Sequence, residues 1–194
     1  MARFLIASLV PAIAACATAS GPDSPQDRFF AQLRPLCGGA YQGRVVTGDA
    51  ADRDFANSRL VMHVRQCGER EIRIPFHVGE NRSRTWVITR TATGLRLKHD
   101  HRHEDGSEDA LTQYGGETAD AGTATLQRFP ADDYSREMFV RANIPASTAN
   151  VWEVEIDPAR GIFAYALTRP NRHFRVEFDL SRPVPAPPQP WGAD

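Results

Sequence analysis

A period-2 alternation decides the fold, and it is clearest between residues 151 and 180, VWEVEIDPARGIFAYALTRPNRHFRVEFDL. The last eight of these residues, HFRVEFDL, place the apolar side chains on one face and the polar ones on the other. Because successive side chains of a strand point to opposite faces, this pattern is typical of a half-buried β-strand. The breaks at DPARG and RPN are too short for a parallel crossover and favour antiparallel hairpins.

The same alternation extends toward the N-terminus as far as Tyr41. Short segments rich in Gly, Asn, Asp or Pro separate many of the alternating runs, as expected for an all-β fold built from hairpins. Ten strands are predicted: Tyr41–Thr47, Arg59–Cys67, Glu71–Val78, Arg84–Thr91, Gly94–His103, Ala110–Gly115, Thr123–Phe129, Val151–Asp157, Ile162–Thr168 and His173–Leu180.

About ten sequential antiparallel strands leave two unpaired edges unless the sheet closes. We therefore predict an up-and-down antiparallel barrel, with a two-sheet sandwich as the alternative. The outline resembles calycin-type barrels such as lipocalins and fatty-acid-binding proteins, and this resemblance implies a filled or ligand-sized interior. The candidate interior face includes the alternating apolar residues of the strands Glu71–Val78 and Val151–Asp157.

Two helices and a tail complete the predicted domain. Ser24 is a predicted N-cap, with proline at the first helical position and Asp27 in the first turn. A second short helix is predicted between Asp132 and Ala149. The single β domain should span residues 24–182, and the proline-rich tail, residues 183–194, has little reason to pack.

The N-terminus has the proportions of a signal peptide, with Arg3, a short apolar run and small residues before Cys16. The sequence Ile13-Ala14-Ala15-Cys16 resembles the lipobox of bacterial lipoproteins, which implies a signal peptide over residues 1–15 and an acylated Cys16. Residues 16–23 would be a tether. In some bacteria an aspartate after the acylated cysteine keeps lipoproteins at the inner membrane. The resemblance therefore implies that a chain with Ala17 at this position is sorted to the outer membrane. Ordinary secretion, with cleavage near Ala17 to Ser20, is the alternative.

Export changes the interpretation of the remaining cysteines, Cys37 and Cys67. In an oxidising compartment a disulfide between them is predicted, and it would stabilise the fold by about 3.6 kcal/mol on the chain-entropy model. Two buried thiols, or a metal pair without CxxC spacing, are the alternatives.

The densest polar segment is residues 98–106, KHDHRHEDG. In a strand, His99, His101 and His103 would lie on one face, about 6.6 Å apart in successive pairs. Neighbouring imidazoles at that spacing can reach one zinc or similar divalent ion. The competing interpretations are a solvated hairpin end, ligand contacts at a barrel mouth, and a histidine acid–base role.

His101-x-His103, Glu108 and Gly115 also resemble the first metal-binding motif of cupins. The second cupin motif is missing, because His173 after Pro170 lacks the expected glycines. Glu108 stays a candidate ligand beside the three histidines.

A formal net charge of -1 over 194 residues gives no basic excess of the kind that marks nucleic-acid binding. The sequence contains no Gly-x-Ser-x-Gly elbow, phosphate loop or dinucleotide fingerprint. Gly115-Gly116 is interpreted as a bulge or turn, and Trp86 and Trp152 as core residues.

The stretch from Arg84 through residues 99–106, HDHRHEDG, to Tyr114-Gly115-Gly116 is similar to a group of uncharacterised bacterial secreted proteins. This resemblance implies no activity. The leading hypothesis is a non-enzymatic envelope protein that holds a small apolar or amphipathic ligand, is anchored by Cys16 and binds no nucleic acid. The alternatives are a metal-dependent enzyme or metal binder at the histidines, and a structural lipoprotein with a filled core.

Overall fold

The computed structural model describes residues 24–193. The predicted signal peptide, the tether and Cys16 lie outside the described residues. The strands are β1 (Ala40–Val45), β2 (Leu60–His63), β3 (Gln66–Cys67), β4 (Glu71–Val78), β5 (Asn81–Arg90), β6 (Leu95–His101), β7 (Tyr114–Glu117), β8 (Leu126–Pro130), β9 (Val151–Asp157), β10 (Ile162–Arg169) and β11 (Arg172–Val184). The α-helices are α1 (Pro25–Leu33), α2 (Arg53–Ala56) and α3 (Asp133–Arg141), and 3-10 turns span Arg34–Leu36, Ala50–Asp52 and Pro145–Ala149.

The strands form one antiparallel sheet in which sequence neighbours pair, in the order β7-β6-β5-β4-β2-β1-β11-β10-β9-β8, with β3 paired to β4. Pairing of β1 with β11 joins the two ends of the chain. The result is a nearly closed barrel of ten strands, which confirms the predicted up-and-down architecture. The alternative two-sheet sandwich does not form.

The seam of the barrel lies between β7 and β8. The Asp132 N–H donates to the Gly115 carbonyl at 2.9 Å, and the Gly115 N–H donates to the Ser135 hydroxyl at 2.7 Å. A side chain at Gly116 would overlap the carbonyl of Pro130. Both glycines lie in β7, so of the predicted bulge or turn the turn does not form. Their small size allows the backbones at the seam to approach.

Helix α1 closes one end of the barrel. The Ser24 hydroxyl accepts a hydrogen bond from the Asp27 N–H at 3.0 Å, which confirms the predicted N-cap. Phe29, Phe30 and Leu33 are fully buried in the core because they lie on one face of the helix. Within residues 24–193 no helix has the length and hydropathy of a membrane span.

Cys37, just after this helix, forms a disulfide with Cys67 in β3, with their Cα atoms 6.2 Å apart. The bond ties α1 to the sheet and confirms the predicted pairing. The helix predicted after Asp132 is also present, as α3, and the Asp132 carboxylate caps it by accepting from the Ser135 N–H.

Several strand predictions were wrong in their bounds. The segment 59–67 is split into β2 and β3, with Val64 and Arg65 between them. The predicted strand from Ala110 to Gly115 is mostly loop, and β7 begins at Tyr114. In this loop the Thr112 hydroxyl accepts from the His101 N–H, and the Asp109 carboxylate accepts from the Leu111 N–H. These side-chain hydrogen bonds replace the backbone hydrogen bonds of a regular β-ladder. Strand β6 ends at His101, two residues early, and β11 continues to Val184.

The proline-rich tail packs on the outside of the barrel, contrary to expectation. The backbone N–H of Trp191 donates to the Arg82 carbonyl at 3.1 Å, and the Arg82 guanidinium donates to the Gln189 carbonyl at 3.2 Å. Pro190 and Trp191 border a depression with Pro75 and Thr85, which face outward on β4 and β5. The tail therefore covers part of the outer face of β4 and β5, which would otherwise be exposed to solvent.

Candidate functional site

A cavity of about 420 Å³ opens at the end of the barrel opposite α1. Two larger depressions, of about 640 and about 520 Å³, each have a single aromatic residue at their border. The interior cavity is the candidate site because aromatic walls with a few converging polar groups are typical of ligand pockets. Eight aromatic side chains line it: Phe55, Phe76, Trp86, Tyr114, Phe139, Trp152, Tyr165 and Phe174.

The aromatic rings form a continuous layer across the cavity. Trp86 stacks on Phe76 at 4.8 Å between centroids and on Tyr165 at 4.4 Å. The His99 imidazole stacks on Tyr114 at 4.4 Å. Such stacked pairs are stabilising beyond their buried area, and their edges expose a flat apolar surface to anything inside the cavity.

Register places the polar groups of β5 and β6 side by side. Arg84 pairs with His101, and Trp86 pairs with His99, so all four side chains point into the barrel. Tyr114 pairs with His99 from β7. The alternation of β6 thus continues inward from Leu95 and Leu97 through the first two histidines.

His99 is buried and holds both of its ring nitrogens in hydrogen bonds. Nδ1 lies 3.0 Å from the Tyr114 carbonyl oxygen, and Nε2 lies 2.7 Å from the Tyr165 hydroxyl. A carbonyl only accepts, so Nδ1 carries the proton and the Tyr165 hydroxyl donates to Nε2. Burial, with His101 nearby, lowers the pKa of His99 to about 3, which keeps the ring neutral.

His101 lies closer to the opening. Its Nε2 is 3.3 Å from the Tyr114 hydroxyl. Burial and then the Arg84 charge lower the pKa of His101 to about 4. Burial also raises the pKa of both Tyr114 and Tyr165 above the ordinary value for tyrosine. These four side chains are therefore neutral near pH 7 and can offer a ligand hydrogen bonds, not charge.

Positive charge at the cavity comes from two arginines. Arg172 forms ion pairs with Asp52, which is buried, and with Asp49 at 3.3 Å. Arg84 donates from Nη1 to the Asn81 Oδ1 at 3.0 Å and the Ser83 Oγ at 3.2 Å, and both acceptors are neutral. Burial lowers the pKa of the Arg84 guanidinium.

The structure separates the four predicted metal or ligand residues. His99 and His101 line the cavity, with ring centroids 6.4 Å apart. His103 lies beyond the end of β6 and is exposed, with Nε2 4.0 Å from the Asp109 carboxylate. Glu108 is exposed as well and pairs with Arg102 at 3.0 Å. His103 and Glu108 thus lie in the exposed segment after β6, whereas His99 and His101 face the cavity.

The described residues contain no group of three His, Cys, Asp or Glu side chains placed to hold one metal ion. His99 would have to give up its bond to Tyr114 or Tyr165 to become a ligand. The geometry of residues 24–193 thus gives the zinc hypothesis no support.

Several cavity residues were missed by the sequence analysis. The four-residue helix α2 brings Phe55 to the opening, and its alternation-free sequence carried no strand or helix signal. Trp86 and Trp152 are buried as predicted, yet both also line the cavity. A usable signal existed at Arg84, because its position in the predicted strand Arg84–Thr91 puts a charge on the same face as Trp86.

No protein-family model, curated protein or solved structure matches this chain. The predicted resemblance to uncharacterised secreted proteins and to calycin-type barrels stays a prediction. The fold and the cavity are the observations from which function can be argued.

Proposed function

We propose that the protein is a binding protein that holds a small amphipathic ligand in the open end of its barrel. The observation that carries the proposal is the cavity of about 420 Å³, walled by aromatic rings and edged by His101, Arg84 and Arg172. Ligand pockets range from about 300 to 1,000 Å³, whereas well-packed interiors leave few voids larger than a water molecule. A filled structural barrel would not need this space.

The polar groups inside the cavity support binding more than catalysis. The Tyr165 hydroxyl proton is directed to His99 Nε2, and the His99 Nδ1 proton is directed to a backbone carbonyl. These bonds hold the two rings in place. The Tyr165 hydroxyl is then not activated as a nucleophile, and His99 is not a base with a pKa near 7. They orient an aromatic surface for a ligand.

A neutral fluorescent probe, N-phenyl-1-naphthylamine, tests the proposal in detergent-free buffer. We expect saturable binding with one site per chain, because the probe is aromatic and gains from leaving water. Leu167→Trp should weaken binding about tenfold or more, since Leu167 lines the cavity and an indole there occupies the ligand volume.

Thr168→Trp is the matched control, because Thr168 is the next residue of β10 and points to the other face of the sheet. It should leave probe affinity unchanged. Thermal melts establish that both variants fold. Absence of saturable binding by the wild type, or equal loss in both variants, would contradict the binding function.

Location is part of the same proposal: the protein acts in the bacterial envelope, anchored through acyl chains on Cys16. The support is the lipobox-like Ile13-Ala14-Ala15-Cys16 and the disulfide between Cys37 and Cys67, since disulfides persist in oxidising compartments. Acyl chains would hold the barrel at a membrane.

Replacing Cys16 with serine should abolish incorporation of a radiolabelled fatty acid and release the protein from the membrane fraction. The control is Cys37→Ser, which removes a cysteine outside the lipobox and should keep the label. Membrane retention of the Cys16→Ser chain, with no lipid on the wild type, would refute the anchor.

A further inference from the structure

Arg84 is the charged group at the cavity with the least compensation. It lies on the inward face of β5, its guanidinium carbon 5.5 Å from the centroid of the Phe55 ring. Among the described residues no carboxylate oxygen lies within 4.0 Å of its guanidinium nitrogens, and its bonded acceptors are the neutral side chains of Asn81 and Ser83. Both bonds use Nη1, so Asn81 and Ser83 do not occupy the donors on Nε and Nη2.

Arg172 provides a contrast at the same end of the barrel. Its guanidinium is bound by Asp52 and Asp49, so its charge is already balanced. The other carboxylate at the cavity, Asp109, is 40% exposed in its side chain. It accepts the Leu111 N–H at 2.7 Å and faces His103 at 4.0 Å. Arg172 therefore has two carboxylates in contact. Arg84 feels the charge of Asp109 only from beyond 4.0 Å, so its donors remain open to an oxyanion from outside.

We propose that the ligand is an acid, and that its oxyanion binds Arg84 while its apolar part lies against Phe76 and Trp86. This inference rests on the proposed binding function and adds the class of ligand. A half-buried guanidinium without a contacting counter-ion is costly, and an incoming oxyanion lowers that cost. The planar fork of arginine suits a carboxylate, sulfonate or phosphate group, which it can bind with two hydrogen bonds.

Two probes with the same aromatic framework isolate the acid. One is 8-anilinonaphthalene-1-sulfonate, and the other is N-phenyl-1-naphthylamine, which lacks the sulfonate. We expect the wild type to prefer the sulfonate. Arg84→Met should lower that preference tenfold to hundredfold, because a hydrogen bond to a charged group contributes about that factor. Arg84→Lys should retain part of it, since a lysine keeps the charge but loses the fork.

Arg44→Met is the matched control. Arg44 is an exposed arginine on β1, so this change removes the same charge from outside the barrel, and the preference for the sulfonate should not change. Competition against the bound sulfonate then tests natural head groups of equal chain length. Decanoate or decyl phosphate should displace the probe better than decanol, and the stronger of the two acids identifies the preferred oxyanion.

The outcomes separate the two proposals. If neither probe binds the wild type, the binding function fails and the acid class fails with it. If both probes bind equally, and Arg84→Met leaves their ratio unchanged, the binding function stands and the acid class is wrong. Equal displacement by decanol and by both acids also overturns the acid class. A ratio that falls in Arg84→Met but not in Arg44→Met supports it.

Discussion

Lowering the pH from 7.5 to 5 is expected to destabilise the protein by about 2 kcal/mol for each of three histidines. His77 on β4 and His99 are buried, and His101 is partly buried. Burial is the main cause that lowers the pKa of His99 to about 3 and the pKa of His77 and His101 to about 4. In the unfolded chain these imidazoles protonate near pH 6.5. Unfolding therefore takes up protons, so stability is greatest above pH 6.5 and is lost as the pH falls toward 4.

Urea denaturation at pH 7.5, 6 and 5 measures this effect. His99→Gln is expected to lower stability at pH 7.5, because it disturbs the bonds to Tyr114 and Tyr165, and to reduce the further loss at pH 5 by about 2 kcal/mol. His103→Gln is the matched control, since His103 is exposed and should leave the acid sensitivity unchanged. An unfolding free energy that stays constant from pH 7.5 to 5 would contradict the prediction. The expected total is a large share of the 5–15 kcal/mol by which domains are usually stable.

Trp152→Ala is expected to destabilise the protein by about 3–5 kcal/mol, as large-to-small changes of buried tryptophans do. Trp152 is 1% exposed, and its ring contacts His99 at 5.1 Å and Tyr114 at 5.5 Å between centroids. It also meets Phe139 of α3 at 6.5 Å. Loss of the indole would thus loosen the packing of β9 against both β6 and α3.

Thermal and urea unfolding at pH 7.5 test this change, with Trp152→Phe as the control. The phenyl ring keeps most of the contacts, so its cost should be well below that of alanine. A loss below about 1 kcal/mol for Trp152→Ala would show that the neighbouring rings close the space. The alanine variant also enlarges the cavity, which predicts altered probe affinity together with the lower stability.

Much of the fold could be predicted because strand patterning is local. Strands β4 and β9 have the predicted bounds, and their apolar faces turn inward. The N-cap of α1 and the disulfide were also confirmed. The failures occurred where non-local contacts or side-chain bonds override the pattern. The loop before Tyr114 is one case, and the tail, which packs against a distant face of the sheet, is another.

The candidate site was predicted less well, for a physical reason. Alternation placed His99 and His101 on one face of a strand, but it could not tell whether that face meets solvent or a cavity. The answer depends on Tyr165, 66 residues further along the chain, and on where β6 ends. His103 lies one alternation beyond that end and is therefore outside.

The sequence by itself determined the strands, their inward faces, the capped helix and the cysteine pair, because hydrophobic period and turn chemistry act over a few residues. The tertiary structure alone decided which polar residues share the cavity, because barrel closure and register join positions far apart in the chain. It placed Arg84 beside His101 and away from a carboxylate partner. It also left a cavity at one end of the barrel while α1 covers the other end, since the volume between strands depends on all of them at once.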